Sequence, residues 1–176
     1  MRQPTRLVEP AECGTATIES PIGAIGLEAD AGAVTRIWLP GTGPGALGSP
    51  LGAPESEPTG GPAALAAAEL REYFAGRRRS FSFPFRLIGT PFQREVWTAL
   101  GSIPFGETVS YRELAEIVGR PNAFRAVGQA NGANPIPIAL PCHRVIAADG
   151  SIGGYGGGVA MKRALLAFEG VELLAR

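Results

Sequence analysis

The sequence predicts a mixed α/β (α+β) protein, in which a small antiparallel sheet with one helix precedes a mostly helical unit holding a helix-turn-helix. Three observations predict it. Short β-prone runs broken by turn residues occupy residues 15–38. An alanine-rich helical run follows at residues 63–74. From Thr90 onward, helix-start signals recur at Thr90 and Ser110. At 176 residues the chain suits one large domain or two small ones, and the change of texture divides it into residues 1–85 and 86–176.

Each element has a local reason. TATIES, GAIGLEA and VTRIWL are strand-like and are separated by Pro21-Ile22-Gly23 and Asp30-Ala31-Gly32. Residues 41–62 are rich in Gly, Pro and Ser without periodicity, which predicts a mobile loop. Ala63 opens a helix that runs to Phe74 and stops at Gly76, and SFSFPF reads as extended. Thr90-Pro91-Phe92-Gln93 supplies an N-cap, a proline at N1 and a Gln at N3. Phe92, Val96, Trp97 and Leu100 then share one helical face. Ser110-Tyr111-Arg112-Glu113 is a second capping box, opening a helix that points Leu114, Ile117 and Val118 inward and ends at Gly119. Pro121-Asn122 begins a third helix, and the tight turn between the two makes them a helix-turn-helix candidate. An ordinary helical hairpin has the same signature. Prolines keep residues 134–141 out of a helix, and residues 153–158 form a glycine loop around Tyr155. Met161, Leu165 and Phe168 mark a last amphipathic helix, stopped by Gly170.

Composition excludes several function classes. The chain is 45% hydrophobic, enough for a core, yet no apolar run approaches membrane-spanning length. The N-terminal residues lack the apolar stretch of a secretion signal, so a cytoplasmic protein with no membrane partner is expected. Cys13 and Cys142 cannot build a disulfide framework, and in a reducing cytosol both are expected as free thiols. With His143 the only histidine, a Cys/His zinc site lacks ligands, so no metal and no cofactor are expected. Net charge is zero, slightly acidic before residue 85 and slightly basic after it, which argues against broad coating of nucleic acid but leaves room for a local patch.

Cys142-His143 is the candidate reactive pair. A thiolate is a strong nucleophile, but an unassisted thiol is only slightly ionised at neutral pH, so a neighbouring base matters. Histidine is the usual base, and a carboxylate orients it. Glu169, on the last helix, is the acid placed to reach back, and Asp149 is the alternative. Neighbouring residues usually point apart, so thiol and imidazole meet either directly or through a bridging water.

The run Pro141-Cys142-His143-Arg144-Val145 resembles the active-site signature of the O6-alkylguanine-DNA alkyltransferases, also called methylated-DNA–protein-cysteine methyltransferases. Asn134-Pro135-Ile136-Pro137, Gly154-Tyr155, Phe168-Glu169-Gly170, Phe105-Gly106-Glu107, Ser110-Tyr111 and Arg125-Ala126-Val127-Gly128 stand at the family's spacing. The resemblance runs from about Thr90 to Gly170; the first eighty-odd residues fit loosely, as a variable N-terminal domain. It implies the same fold and a direct displacement by Cys142 on the alkyl carbon at guanine O6, with O4-alkylthymine as a second substrate. It further implies a Cys142–water–His143–Glu169 relay and a buried Asn134 that organises the active-site turn. Tyr111 is implied as a donor to the base, Val145 and Tyr155 as its walls, and the backbone N–H groups of Tyr155 and Gly156 as contacts to O6. Relatives often carry Ser or Ala at position 156, so glycine there suggests a wider pocket. The extruded base leaves a gap, and Arg125 is implied to fill it from a third helix kept thin by Ala123, Ala126, Gly128, Ala130 and Gly132. The same small residues would equally suit tight core packing. Arg112, Phe124, Ala126 and Asn131 complete the expected DNA face.

The partner implied is double-stranded DNA bearing alkylated bases, met by a monomer with no obligate protein partner. The thioether product is not hydrolysed, so one transfer per molecule is expected. Two other classes compete. A Cys-His-Glu hydrolase gives no role to the arginine helix. A non-catalytic sensor of alkylated DNA would lack the cysteine that this chain keeps. A regulator with an added methyl-accepting cysteine cluster has no room in this length.

Overall fold

A computed structural model describes residues 14–42, 58 and 60–172. Cys13 and most of the expected 41–62 loop lie outside the described residues. The first layer is a sheet of β1 (Gly14–Ile18), β2 (Ile25–Ala29) and β3 (Val34–Trp38), antiparallel and in sequence order. Its register pairs Ile18 with Ile25 and Leu27 with Ile37, with an irregularity at Glu28/Ala29. Ile18, Ile25, Leu27, Val34 and Ile37 are buried. Against them packs α1 (Gly61–Phe74), which begins two residues before the expected Ala63. Its buried face is Ala63, Ala66, Ala67, Leu70 and Tyr73, where alanines allow close approach and Leu70 and Tyr73 fill the space. Removing the Leu70 side chain to Ala would cost about 2–5 kcal/mol.

The extended segment after α1 is tied down by Glu69, whose carboxylate accepts from Ser82 N–H at 2.7 Å and Phe83 N–H at 3.3 Å. It then runs beside β3: Val34 N–H donates to the Pro84 carbonyl, and Arg86 N–H donates back to Val34.

The second layer holds α2 (Pro91–Leu100), α3 (Tyr111–Ile117), α4 (Phe124–Gly132) and α5 (Val159–Phe168). Both expected capping boxes form: Thr90 with Gln93, and Ser110 with Glu113. Val96, Trp97 and Leu100 are buried, and the Trp97 indole N–H donates to the Ala130 carbonyl at 2.7 Å, locking α2 to α4. Two short strands, β4 (Val109–Ser110) and β5 (Val145–Ile146), pair in parallel and join the α3 cap to the residues after Cys142.

Several expectations change. Ile117 is 53% exposed rather than inward, and Ala115 fills that face beside Leu114. Ile117 is the last residue of this two-turn helix, where it faces the surface. The third helix starts as a 3-10 turn (Pro121–Ala123) before α4. Of its small residues, Ala130 is buried and Gly128 lies against the Tyr111 ring, whereas Ala126 and Gly132 face outward.

Candidate active site

Cys142, His143 and Arg144 form one turn of 3-10 helix between a proline-bounded loop and β5. The loop is held by Asn134: its amide donates to the Leu140 carbonyl at 2.7 Å and accepts from Ile136 N–H at 3.0 Å. At the loop's centre, buried Ile138 takes φ +73°, a conformation β-branched residues rarely adopt. Asn134 itself is half-buried, not buried as expected.

His143 is fully buried, and its Nε2 lies 2.9 Å from Glu169 Oε1. Asp149, the alternative acid, accepts instead from Ser151 N–H in its own turn. Glu169 also accepts from Arg144 Nε at 2.8 Å and Nη2 at 2.9 Å, from the Tyr73 hydroxyl at 2.7 Å and from Gly106 N–H at 3.2 Å. Burial works against its charge, but the His143, Arg144 and Tyr73 hydrogen bonds win and hold the carboxyl well below the usual carboxylate range. Burial lowers the His143 pKa, although Glu169 opposes it, so the imidazole rests neutral. With Nε2 engaged, the buried Nδ1 has no partner within the described residues.

Burial pushes the Cys142 thiol up, against hydrogen bonding from Asn134 and Tyr155 and the charge of Lys162. The Tyr155 hydroxyl is buried and has no conventional hydrogen-bond partner among the described residues; the Cys142 sulfur is its polar neighbour. Lys162 is buried and donates to the Val145 and Gly154 carbonyls, joining the cysteine strand to the Tyr155 loop. Burial brings its pKa down to about 8, opposed by Cys142.

Cys142 opens onto a chamber of about 210 Å³ that Asn131, Asn134, Tyr155 and Gly156 also line. β3 and its continuation supply Arg36, Ile37, Trp38, Leu39 and Thr42 to the same lining. Not every expected residue gathers there. Tyr111 is half-buried beside the chamber, its hydroxyl 3.4 Å from the Gly154 carbonyl, and burial raises its pKa so that it stays a neutral donor. Val145 is fully buried in β5 and lines no part of the chamber. Asn131, expected on the DNA face, is 3% exposed and donates to the Cys142 carbonyl at 3.4 Å, so it supports the cysteine turn instead. Arg112, Phe124, Arg125 and Ala126 are exposed on α3 and α4, with the Arg125 guanidinium over the Phe124 ring.

Sequence reasoning gave no role to Arg144, Tyr73, Lys162 or Trp38. Arg144 stood inside the recognised signature, which was a usable signal. Tyr73 and Trp38 stand far from Cys142 along the chain, and Lys162, on the last helix, reads there as a surface charge.

Residues 91–171 match the family model described as 6-O-methylguanine DNA methyltransferase, DNA binding domain. The methylated-DNA–protein-cysteine methyltransferase of Mycobacterium tuberculosis H37Rv is 45% identical over 155 residues, 87% of this chain and 90% of the relative. The constitutive methylated-DNA–protein-cysteine methyltransferase of Bacillus subtilis is 52% identical over 103 residues, 58% of this chain and 62% of that protein. A crystal structure of Mycobacterium tuberculosis OGT in complex with DNA superposes with a TM-score of 0.77 at 44% identity, covering 88% of this chain and 91% of that one. With a buried Cys-His-Glu site on the matching fold and such identity across nearly the whole relative, this chain belongs to the methylated-DNA–protein-cysteine methyltransferase family.

Proposed function

We propose that this protein repairs alkylated DNA by moving the alkyl group from guanine O6 onto Cys142, once per molecule. The observation that carries the reading is the buried His143–Glu169 pair placed directly after a cysteine that opens onto a chamber. The thiol gives its proton to His143 Nδ1 through one bridging water. Glu169, itself fixed as an anion by Arg144 and Tyr73, stabilises the imidazolium that forms. The sulfur attacks the alkyl carbon as the carbon–oxygen bond breaks, and the electron pair stays on guanine. The leaving guanine recovers a proton, so thiol and alkylguanine become thioether and guanine. Tyr111 and the backbone N–H groups of Tyr155 and Gly156 face the developing charge on the base, where preorganised donors act most strongly.

The substrate is duplex DNA, so the base must leave the stack. Arg125 fills the vacated place from the start of α4, with Arg112, Phe124 and Ala126 beside it on a helix-turn-helix. Residues 1–85 form one domain and residues 86–176 the reactive one. This work belongs in the cytosol, where a reducing poise keeps Cys142 a thiol, and a monomer suffices for it. No helix of the described residues is long and apolar enough to cross a membrane. The sensor alternative is disfavoured because the chain keeps Cys142 and its close relatives are named as methyltransferases.

The test mixes the protein with a duplex containing one O6-methylguanine and follows intact mass and peptide maps, with Cys142→Ala alongside. One methyl added to Cys142, saturating at one per protein and absent from the variant, is expected. Binding without mass gain would make the protein a damage sensor.

A further inference from the structure

Strand alternation sends Arg36 and Trp38 to one side of β3 and Ile37 to the other. Ile37 is buried in the core, and Arg36, Ile37 and Trp38 are all among the residues that line the chamber with Cys142. This wall is fixed to the reactive half of the molecule, because Ile37 N–H donates to the Pro135 carbonyl at 2.8 Å. The Arg36 guanidinium lies 4.8 Å from the centre of the Trp38 ring, a cation–π arrangement that steadies the indole. The indole Nε1 is buried and has no hydrogen-bond partner within the described residues, so packing and Arg36 set the ring's position.

Gly156 and Gly157 line the same chamber without side chains. A Cβ at Gly157 would stand 2.9 Å from Met161 Sδ and 3.0 Å from Leu39 Cδ1, so that side is already filled to contact. A Cβ at Gly156 would meet only the Gly132 carbonyl, at 3.5 Å, so there the space is open. A methyl group on O6 needs only the room at the sulfur. A longer substituent must extend into the chamber, where Trp38 is among the lining residues.

We propose that Trp38, backed by Arg36, determines specificity as the subsite for the distal, aromatic part of alkyl groups larger than methyl, of the benzyl class. This rests on the alkyl-transfer reading above and extends it to the range of damage accepted. The reaction is unchanged: the benzylic carbon bonds to sulfur, its bond to O6 breaks, and guanine leaves with the proton that the thiol gave up. The ring of the transferred group packs against the indole, as aromatic pairs do in offset or edge-on contact.

The experiment measures single-turnover rate constants of the full chain, Trp38→Ala and Trp38→Phe on one duplex carrying either O6-methylguanine or O6-benzylguanine. The benzyl-to-methyl rate ratio should fall about tenfold in Trp38→Ala, the size expected for losing an aromatic contact. Trp38→Phe should restore most of it, because phenylalanine keeps a ring. An unchanged ratio in Trp38→Ala, or an equal fall in both variants, would overturn the subsite. If the unaltered protein gains no mass from either lesion, the alkyl-transfer reading fails as well. If it accepts methyl while the ratio does not move, only the subsite fails.

Discussion

Glu169 has a fully buried side chain and takes hydrogen bonds from His143, Arg144, Tyr73 and Gly106. A carboxylate so enclosed is stable only because those partners replace water. Glu169→Gln keeps the shape but removes the charge, leaving the Arg144 cation buried without its counter-ion. We expect a loss of about 3–5 kcal/mol in urea unfolding and transfer slowed by at least about 10²-fold in single-turnover assays. The pH sense follows from its depressed folded pKa. The stabilisation from Glu169 is complete above the ordinary value of 4.5 and is lost as pH falls toward the folded value. Unfolding measured below pH 4.5 should therefore show a steep decline that Glu169→Gln flattens; equal slopes would refute it. Glu169 was legible in the sequence as an acid on a helix able to reach back. Tyr73 was not, because 96 residues separate it from Glu169 and an aromatic in an alanine-rich helix reads as core. A lone arginine normally reads as surface charge, which hid the work of Arg144.

The helix starts were the most readable elements, since Thr90 and Ser110 each carry a complete local signal, cap and reciprocal partner, within four residues. The turn before Cys142 was not readable. It depends on Ile138 at positive φ, the last residue type local preference would put there, and is held by bonds from Asn134. Nor did the small residues of α4 announce which of them faced Tyr111 and which faced outward. That helix carries its own prediction. Arg125 is exposed at its first turn and forms no ion pair among the described residues, a position suited to entering a duplex. Arg125→Ala should lower the rate on duplex O6-benzylguanine relative to the free base O6-benzylguanine by about tenfold or more, because only the duplex needs its gap filled. A ratio that stays constant would remove Arg125 from the DNA face.

The two layers of the molecule meet at the active site. The Tyr73 hydroxyl reaches from α1 to Glu169, and Ile37 on β3 bonds to Pro135 beside the cysteine loop. Tyr73→Phe, which removes one donor to a buried anion, should cost about 1.5–3 kcal/mol in urea unfolding and slow methyl transfer. An unaltered rate and stability would mean that the first layer does not support the chemistry. The sequence divided these layers near residue 85 by texture alone, yet it concealed their joint, because contacts between distant segments leave no local pattern. One consequence concerns how such a protein changes over generations. The cysteine, histidine and glutamate are written in residues 142–169, whereas part of the chamber's lining is written in residues 36–42. A substitution on that one edge strand can alter which lesions are admitted while the reaction stays as it is, so repertoire and reactivity are free to drift at different rates.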